Sequence, residues 1–161
     1  MPWSRSYSPD EPKPLSTYGV LTLLWGGAFA GVLVGQGKSG RRLPERIPAG
    51  DIALLTAGTY KLSRLLAKDR VMSFLRAPFT RYVDESDRPS EVTEEPRGRG
   101  LQFSIGQLLV CPYCLSQWIG AGFLAAYLRQ PRMARTAAAL FAIVGGSDLL
   151  QQTWVAVDKR A

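Results

Sequence analysis

Residues 15–36, LSTYGVLTLLWGGAFAGVLVGQ, hold no charged side chain, and the charge-free gap extends from Lys13 to Lys38. A helix of ~20 residues crosses the hydrocarbon core of a bilayer. A second gap of this kind runs from Arg99 to Arg129. In lipid no water satisfies a peptide group, so such stretches must close their hydrogen bonds within a helix. The two gaps predict an all-α fold: a small polytopic membrane bundle of about four transmembrane helices with an interfacial amphipathic segment.

The length, 161 residues, allows one domain and little more. With 46% hydrophobic residues and a mean hydropathy of -0.03 the averages are those of a globular protein, but the charges are strongly segregated along the chain. The formal charge is +7, from 20 Lys and Arg against 13 Asp and Glu. A nucleic-acid surface would interleave basic residues with aromatics on a soluble face. Here they flank apolar stretches as juxtamembrane anchors do, so membrane lipids are the expected partner and nucleic acid is not. The chain has no histidine, which removes His-dependent triads and His-containing zinc sites. No cofactor and no metal is expected.

Residues 1–13, with Pro2, Pro9 and Pro12, read as a disordered polar tail; the apolar run that follows is too long for a secretory signal. A single helical membrane domain fills 14–157, and 158–161 form a second tail. The first span is 15–36. Its Gly27 and Gly31 form a Gly-x-x-x-Gly pair, a weak sign of close helix packing, and Trp25, mid-span, is expected to pack. A basic connector with Lys38, Arg41, Arg42 and Arg46 leads to Asp51, which suits the positive end of a helix dipole. The second span, about 51–67, carries Lys61, Arg64 and Lys68 on one face and Leu62, Leu65 and Leu66 on another. It is either a short span with snorkelling basic residues or a helix on the membrane surface; the span is favoured.

From Asp69 to Tyr82, Arg70, Arg76 and Arg81 alternate with Val71, Phe74, Leu75 and Phe79, the composition of a headgroup-level segment that Pro78 stops. Residues 83–100, rich in both charges, read as a hydrophilic loop. The third span, about 104–128, opens on Ser104-Ile105-Gly106-Gln107, a capping-box pattern. Pro112 either kinks that helix or occupies its first turn with Cys111 as cap; a kinked helix from Ser104 fits the bilayer thickness better. The fourth span is about 136–157. Asp148, followed by Gln151 and Gln152, costs ~2.5–3.5 kcal/mol in lipid and must face protein, water or a cation.

One set of motifs is shared with a known family. Asp51-Ile52-Ala53-Leu54-Leu55, Tyr60-Lys61-Leu62-Ser63-Arg64-Leu65-Leu66, Asp69-Arg70-Val71, Leu75-Arg76-Ala77-Pro78-Phe79 and Gly106-Gln107-Leu108-Leu109-Val110-Cys111-Pro112-Tyr113-Cys114-Leu115-Ser116-Gln117-Trp118 cover the middle half of the chain. They resemble the uncharacterised bacterial and phage membrane proteins of domain of unknown function 1360. The combination of Arg-x-Pro-Phe with Cys-Pro-x-Cys-Leu-x-x-Trp is fairly specific, and it marks Asp69, Pro78, Phe79, Pro112 and Trp118 as motif residues. The family often has an acidic residue where Gln107 stands, which argues against a proton-linked role there. The resemblance implies a multi-pass protein of the bacterial cytoplasmic membrane and no established activity.

Three functions compete. Lys61, Arg64, Lys68, Arg70, Arg76 and Arg81 are the candidate lipid or partner contacts of a structural or partner-binding membrane protein, with a homo-oligomer or another membrane protein as partner. For Arg64, Asp69 and Arg76 the alternative is a set of internal ion pairs. Asp148 belongs to a polar pathway or, more economically, to a contact with Lys61 or Arg64. Cys111-Pro112-Tyr113-Cys114 is also the active tetrapeptide of glutaredoxins, and a helix N-terminus favours a thiolate. It supports a membrane thiol-disulfide redox protein, or else packing beside Pro112, a local disulfide, or zinc shared across a dimer. Small size and glycine-rich spans leave a pore former or phage lysis accessory as the third class.

Overall fold

The computed structural model describes Tyr7 and residues 13–38, 43–86 and 88–159. Pro2, Pro9, Pro12, Arg41, Arg42, Asp87 and residues 160–161 lie outside the described residues. From residue 13 onward the elements are α1 (Leu15–Lys38), α2 (Ala49–Lys68), a 3₁₀ turn (Arg70–Met72), α3 (Ser73–Arg76), β1 (Thr80–Glu85), β2 (Val92–Pro96), α4 (Gly100–Val110), α5 (Pro112–Arg129) and α6 (Pro131–Asp158). The chain is mostly helical, with one small two-stranded sheet that the all-α expectation lacked.

α2 is the central helix. Asp51, Leu55, Gly58, Lys61, Ser63 and Ala67 are its buried positions, and it packs against both α5 and α6. The apolar core is Leu55, Phe123, Tyr127, Ala134 and Ala138, ringed by Ile47, Leu54, Leu62, Ile119 and Phe141. Phe123 and Phe141 meet edge to face at 6.5 Å, a favoured aromatic geometry. A Cβ on Gly58 would lie 2.9 Å from the Cα of Ala138, so α2 and α6 cross nearly backbone to backbone. Small residues permit that approach.

The cross-helix contacts fix the directions. Trp25 Nε1 donates to the Gln117 carbonyl at 3.2 Å and Gln36 Nε2 to the Leu128 carbonyl at 2.7 Å, so α1 and α5 run parallel. Asp51 meets Arg135 and Lys61 meets Asp148, so α2 and α6 also run parallel. Tyr127, near the end of α5, reaches Asp51 at the start of α2, which makes these two pairs opposed. Both short connectors therefore lie at one end of the bundle and the hairpin at the other.

Three expectations are corrected here. Residues 83–100 are not a plain loop: β1 and β2 pair antiparallel, Arg81 opposite Glu95 and Tyr82 opposite Glu94, with Val83 bulged. β-branched residues on either side of Arg88-Pro89-Ser90 give the strands their propensity, and Ser90 turns the chain at φ 67. Residues 104–128 are not one kinked helix, because α4 and α5 are bent by 85° at Cys111. Pro112, having no N–H to lose, takes the first turn of α5, and Cys111 caps it. Ser104 lies inside α4 and is buried, its Oγ donating to the Gly100 carbonyl. Among the described residues, α1 and α6 are each long and apolar enough by themselves to cross a membrane, and α4 with α5 would count as a third span if taken as one.

Candidate functional site

A buried ionic cluster sits where α2 meets the hairpin. Its centre is Arg76, which is 0% exposed. Arg76 Nε and Nη2 donate to the two carboxylate oxygens of Glu94, each at 2.9 Å. Its Nη1 donates to the Leu66 carbonyl at 2.8 Å, and Nη2 also reaches the Asp69 carbonyl and the Ser73 hydroxyl. Glu94 is completed by hydroxyl donors from Ser73 at 2.7 Å and Thr80 at 2.8 Å. The guanidinium thus satisfies the Leu66 carbonyl, in the last turn of α2, while bridging to the Asp69 carbonyl and Glu94, and only a planar five-donor group can serve all of them.

Arg76 therefore does not contact lipid. The other basic candidates separate by position. Arg64 pairs with Glu91, and Lys61 Nζ lies 2.7 Å from Asp148. Arg70 with Glu85 and Arg81 with Glu95 form exposed pairs along the hairpin. Lys68 is half-buried at the last turn of α2. The apolar residues of the same segment turn outward, Val71 76% and Phe74 69% exposed. Among the motif residues, Pro78 offers its carbonyl to Gln102 Nε2 at 2.9 Å, and the Phe79 carbonyl accepts from the Arg97 amide. The first anchors the chain entering the hairpin to the start of α4, and the second closes the base of the hairpin. Gln151 donates to Ser147 at 3.3 Å, and it and Gln152 are exposed on α6.

Burial raises the pKa of the Glu94 carboxyl, but the hydrogen bonds from Arg76, Ser73 and Thr80 outweigh it and hold the group below its ordinary value. On acidification the unfolded chain takes up that proton first. The stability Glu94 contributes is then complete above the ordinary glutamate pKa of ~4.3 and is lost as pH falls through the lower folded value. Proteolysis of the hairpin should stay flat from neutral pH down to about 5 and accelerate only below that range. At Asp69 burial prevails and raises the carboxyl, with Lys61 opposing and Glu91 reinforcing.

At the opposite end a second clamp joins three helices. Asp51 accepts from Arg135 Nε at 2.8 Å, from Arg135 Nη2 at 2.6 Å and from the Tyr127 hydroxyl at 2.6 Å. The guanidinium also lies 5.5 Å from the centre of the Tyr127 ring. A helix-dipole role is the local expectation for Asp51, and its partners, 76 and 84 positions away, leave no local signal.

The two cysteines occupy a cleft between α1, α4 and α5. Cys111 Sγ accepts from the Cys114 amide at 3.2 Å, and both thiols are free, with no local disulfide. A cavity of about 610 Å³ opens beside them, walled by Tyr18, Leu21, Trp25, Leu108, Gln107 and Trp118. The Tyr18 hydroxyl donates to Gln107 Oε1, and Thr17 shares a 2.5 Å hydrogen bond with Ser104, which docks α1 onto α4. Trp25, expected to pack, stacks on Phe29. Gly27 and Gly31 have nothing within 4 Å of where a Cβ would stand. Two sulfurs are half of a structural zinc set, and among the described residues no third Cys, Asp or Glu joins them.

Comparison with known proteins gives relatives without an assigned chemistry. Sporulation protein YjcA of Bacillus subtilis (strain 168) is 28% identical over 102 residues, 62% of this chain and 86% of that protein. UPF0713 protein YngL of the same organism is 26% identical over 107 residues, 66% of this chain and 80% of its own length. No solved structure matches. The family described as Protein of unknown function (DUF1360) matches residues 54–154. That stretch contains the whole Arg76 cluster and the Cys-Pro-Tyr-Cys turn, and it is well over half of the sequence, so the chain belongs to the DUF1360 family.

Proposed function

We propose that the protein is a multi-pass protein of the bacterial cytoplasmic membrane with a structural or partner-binding role, in which α1, α2, α5 and α6 cross in alternating directions. The observation that carries this reading is the inverted distribution of side chains. Leu23, Ile143, Leu150 and Trp154 are 77%, 71%, 74% and 72% exposed, whereas Arg76, Lys61 and Ser104 are buried. A water-soluble monomer rarely leaves so continuous an apolar surface open. α2 is 20 residues long, ~30 Å of helix. Its buried charged residues Asp51 and Lys61 pair with residues of α5 and α6, so its composition need not be apolar all round. Both intramembrane ion pairs satisfy their charges internally, which favours a scaffold over a pore.

Alkaline carbonate should leave the full chain in the membrane pellet and detergent should release it; release by carbonate overturns the reading. In a Cys111→Ser/Cys114→Ser background, Glu45→Cys and Gln130→Cys should label from one side with a membrane-impermeant maleimide, and Arg88→Cys from the other. Labelling of all three from the same side leaves only α1 and α6 as spans. A second reading, thiol-disulfide exchange, is favoured by the cysteine pair's position at the first turn of α5 and on the wall of a cleft.

A further inference from the structure

We infer that Cys111 and Cys114 form a two-electron dithiol/disulfide couple whose oxidant is a lipid-soluble quinone seated in the cleft between α1, α4 and α5. The inference rests on the thiol-exchange reading and on the membrane placement. Cysteines three apart on a first helical turn have Cβ atoms roughly 5–6 Å apart in a regular helix. Cys111, the cap, is extended at φ -105 and ψ 103, and its sulfur folds back over the turn to the Cys114 amide. Both side chains line the same cavity.

The cavity selects the co-substrate. Its 610 Å³ falls within the roughly 300–1,000 Å³ of small-molecule sites. Tyr18, Trp25 and Trp118 supply flat aromatic walls suited to a planar ring. α1, which forms one side, is peripheral: the apolar window that marks it as a span has 0% of its residues buried. A ligand with an apolar tail therefore reaches the cleft from the acyl phase along α1. Gln107 uses its Oε1 to accept from Tyr18, which leaves its amide nitrogen to donate to a ring carbonyl. Gln117 on the same wall carries a second amide.

The step balances without an added base. Two S–H bonds break and one S–S bond forms; the two electrons and two protons pass to the quinone, whose carbonyl oxygens become the hydroxyls of the quinol. The chain has no histidine to take up a proton, and a quinone needs none because it accepts both.

The test uses the pre-reduced full chain in lipid nanodiscs without air, treated with ubiquinone-1, whose fully substituted ring resists arylation by thiols. Quinol formation is followed by absorbance and free thiols by maleimide gel shift. One quinone reduced per protein, with both thiols protected, is the expected result, and Cys111→Ser or Cys114→Ser should each abolish it. Trp118→Ala, and Leu21→Trp, which fills the cleft, should slow quinone reduction about tenfold or more while oxidation by diamide stays at the wild-type rate. Oxidation by diamide but not by ubiquinone-1 overturns the quinone and keeps the exchange reading. Failure of both oxidants overturns both, and unchanged quinone rates in the two cleft variants remove the cleft as the site.

Discussion

Replacing Glu94 with alanine is expected to cost about 3–5 kcal/mol of stability, the largest effect of any single side-chain truncation at the hairpin end. The substitution leaves the guanidinium of Arg76, 0% exposed, without a carboxylate and out of reach of water. It also removes the acceptor for the Ser73 and Thr80 hydroxyls. Unfolding in mixed micelles, read by tryptophan fluorescence, should show the loss, and the connection between β1 and β2 should become cleavable at neutral pH. Arg76→Lys should lose a comparable amount, because an ammonium cannot reach the Leu66 and Asp69 carbonyls and both Glu94 oxygens together. The double variant Arg76→Met/Glu94→Leu should be more stable than Glu94→Ala alone, since no charge is then stranded. Arg81→Ala supplies the contrast. Its pair with Glu95 is 69% and 46% exposed, so its loss should stay within about 1 kcal/mol. A Glu94→Ala protein as stable as Arg81→Ala would show that the cluster is not what holds the hairpin.

The second large effect is expected at Gly106, where alanine should cost about 1–3 kcal/mol or more. A Cβ there overlaps the Phe79 carbonyl oxygen and lies 3.1 Å from Pro96 Cβ and 3.2 Å from Pro96 Cα. Two of these three obstacles are backbone, so no side-chain rotation relieves the clash. α4 would have to lift from the hairpin, carrying with it the Thr17–Ser104 and Tyr18–Gln107 contacts that seat α1. Thermal denaturation of Gly106→Ala beside Gly27→Ala and Gly31→Ala checks the point. The latter two meet open space and should leave the melting temperature of the monomer unchanged or slightly raised.

What a sequence reveals here depends on how far apart the interacting groups lie. The charge-free stretch of α1 and the apolar stretch of α6 are local properties, and both appear as long helices. Asp148 is an acid within an otherwise apolar stretch, for which Lys61 and Arg64 are the cations the sequence offers; the register of α2 against α6 selects Lys61. The hairpin was the main loss. Its acidic and basic residues, taken as a run, look solvated, yet they flank a Pro-Ser turn, and the four glutamates at 85, 91, 94 and 95 match the four arginines at 64, 70, 76 and 81. Arg64 with Glu91, Arg70 with Glu85, Arg76 with Glu94 and Arg81 with Glu95 are the result. That matching was the available signal, and composition alone does not show it.

The amino-acid order by itself determined where the long helices form and that two of them are apolar enough to cross a membrane, because charge spacing and hydrogen-bond closure act along the chain. At Pro112, whose ring has no N–H to give, it left a kink and a break both open, and the fold takes the break. Only the folded arrangement decided which arginine is interior, which acid neutralises it and what the two thiols face. Those outcomes depend on residues from separate helices meeting at a few ångströms, and a buried charge is tolerable only where such a partner arrives.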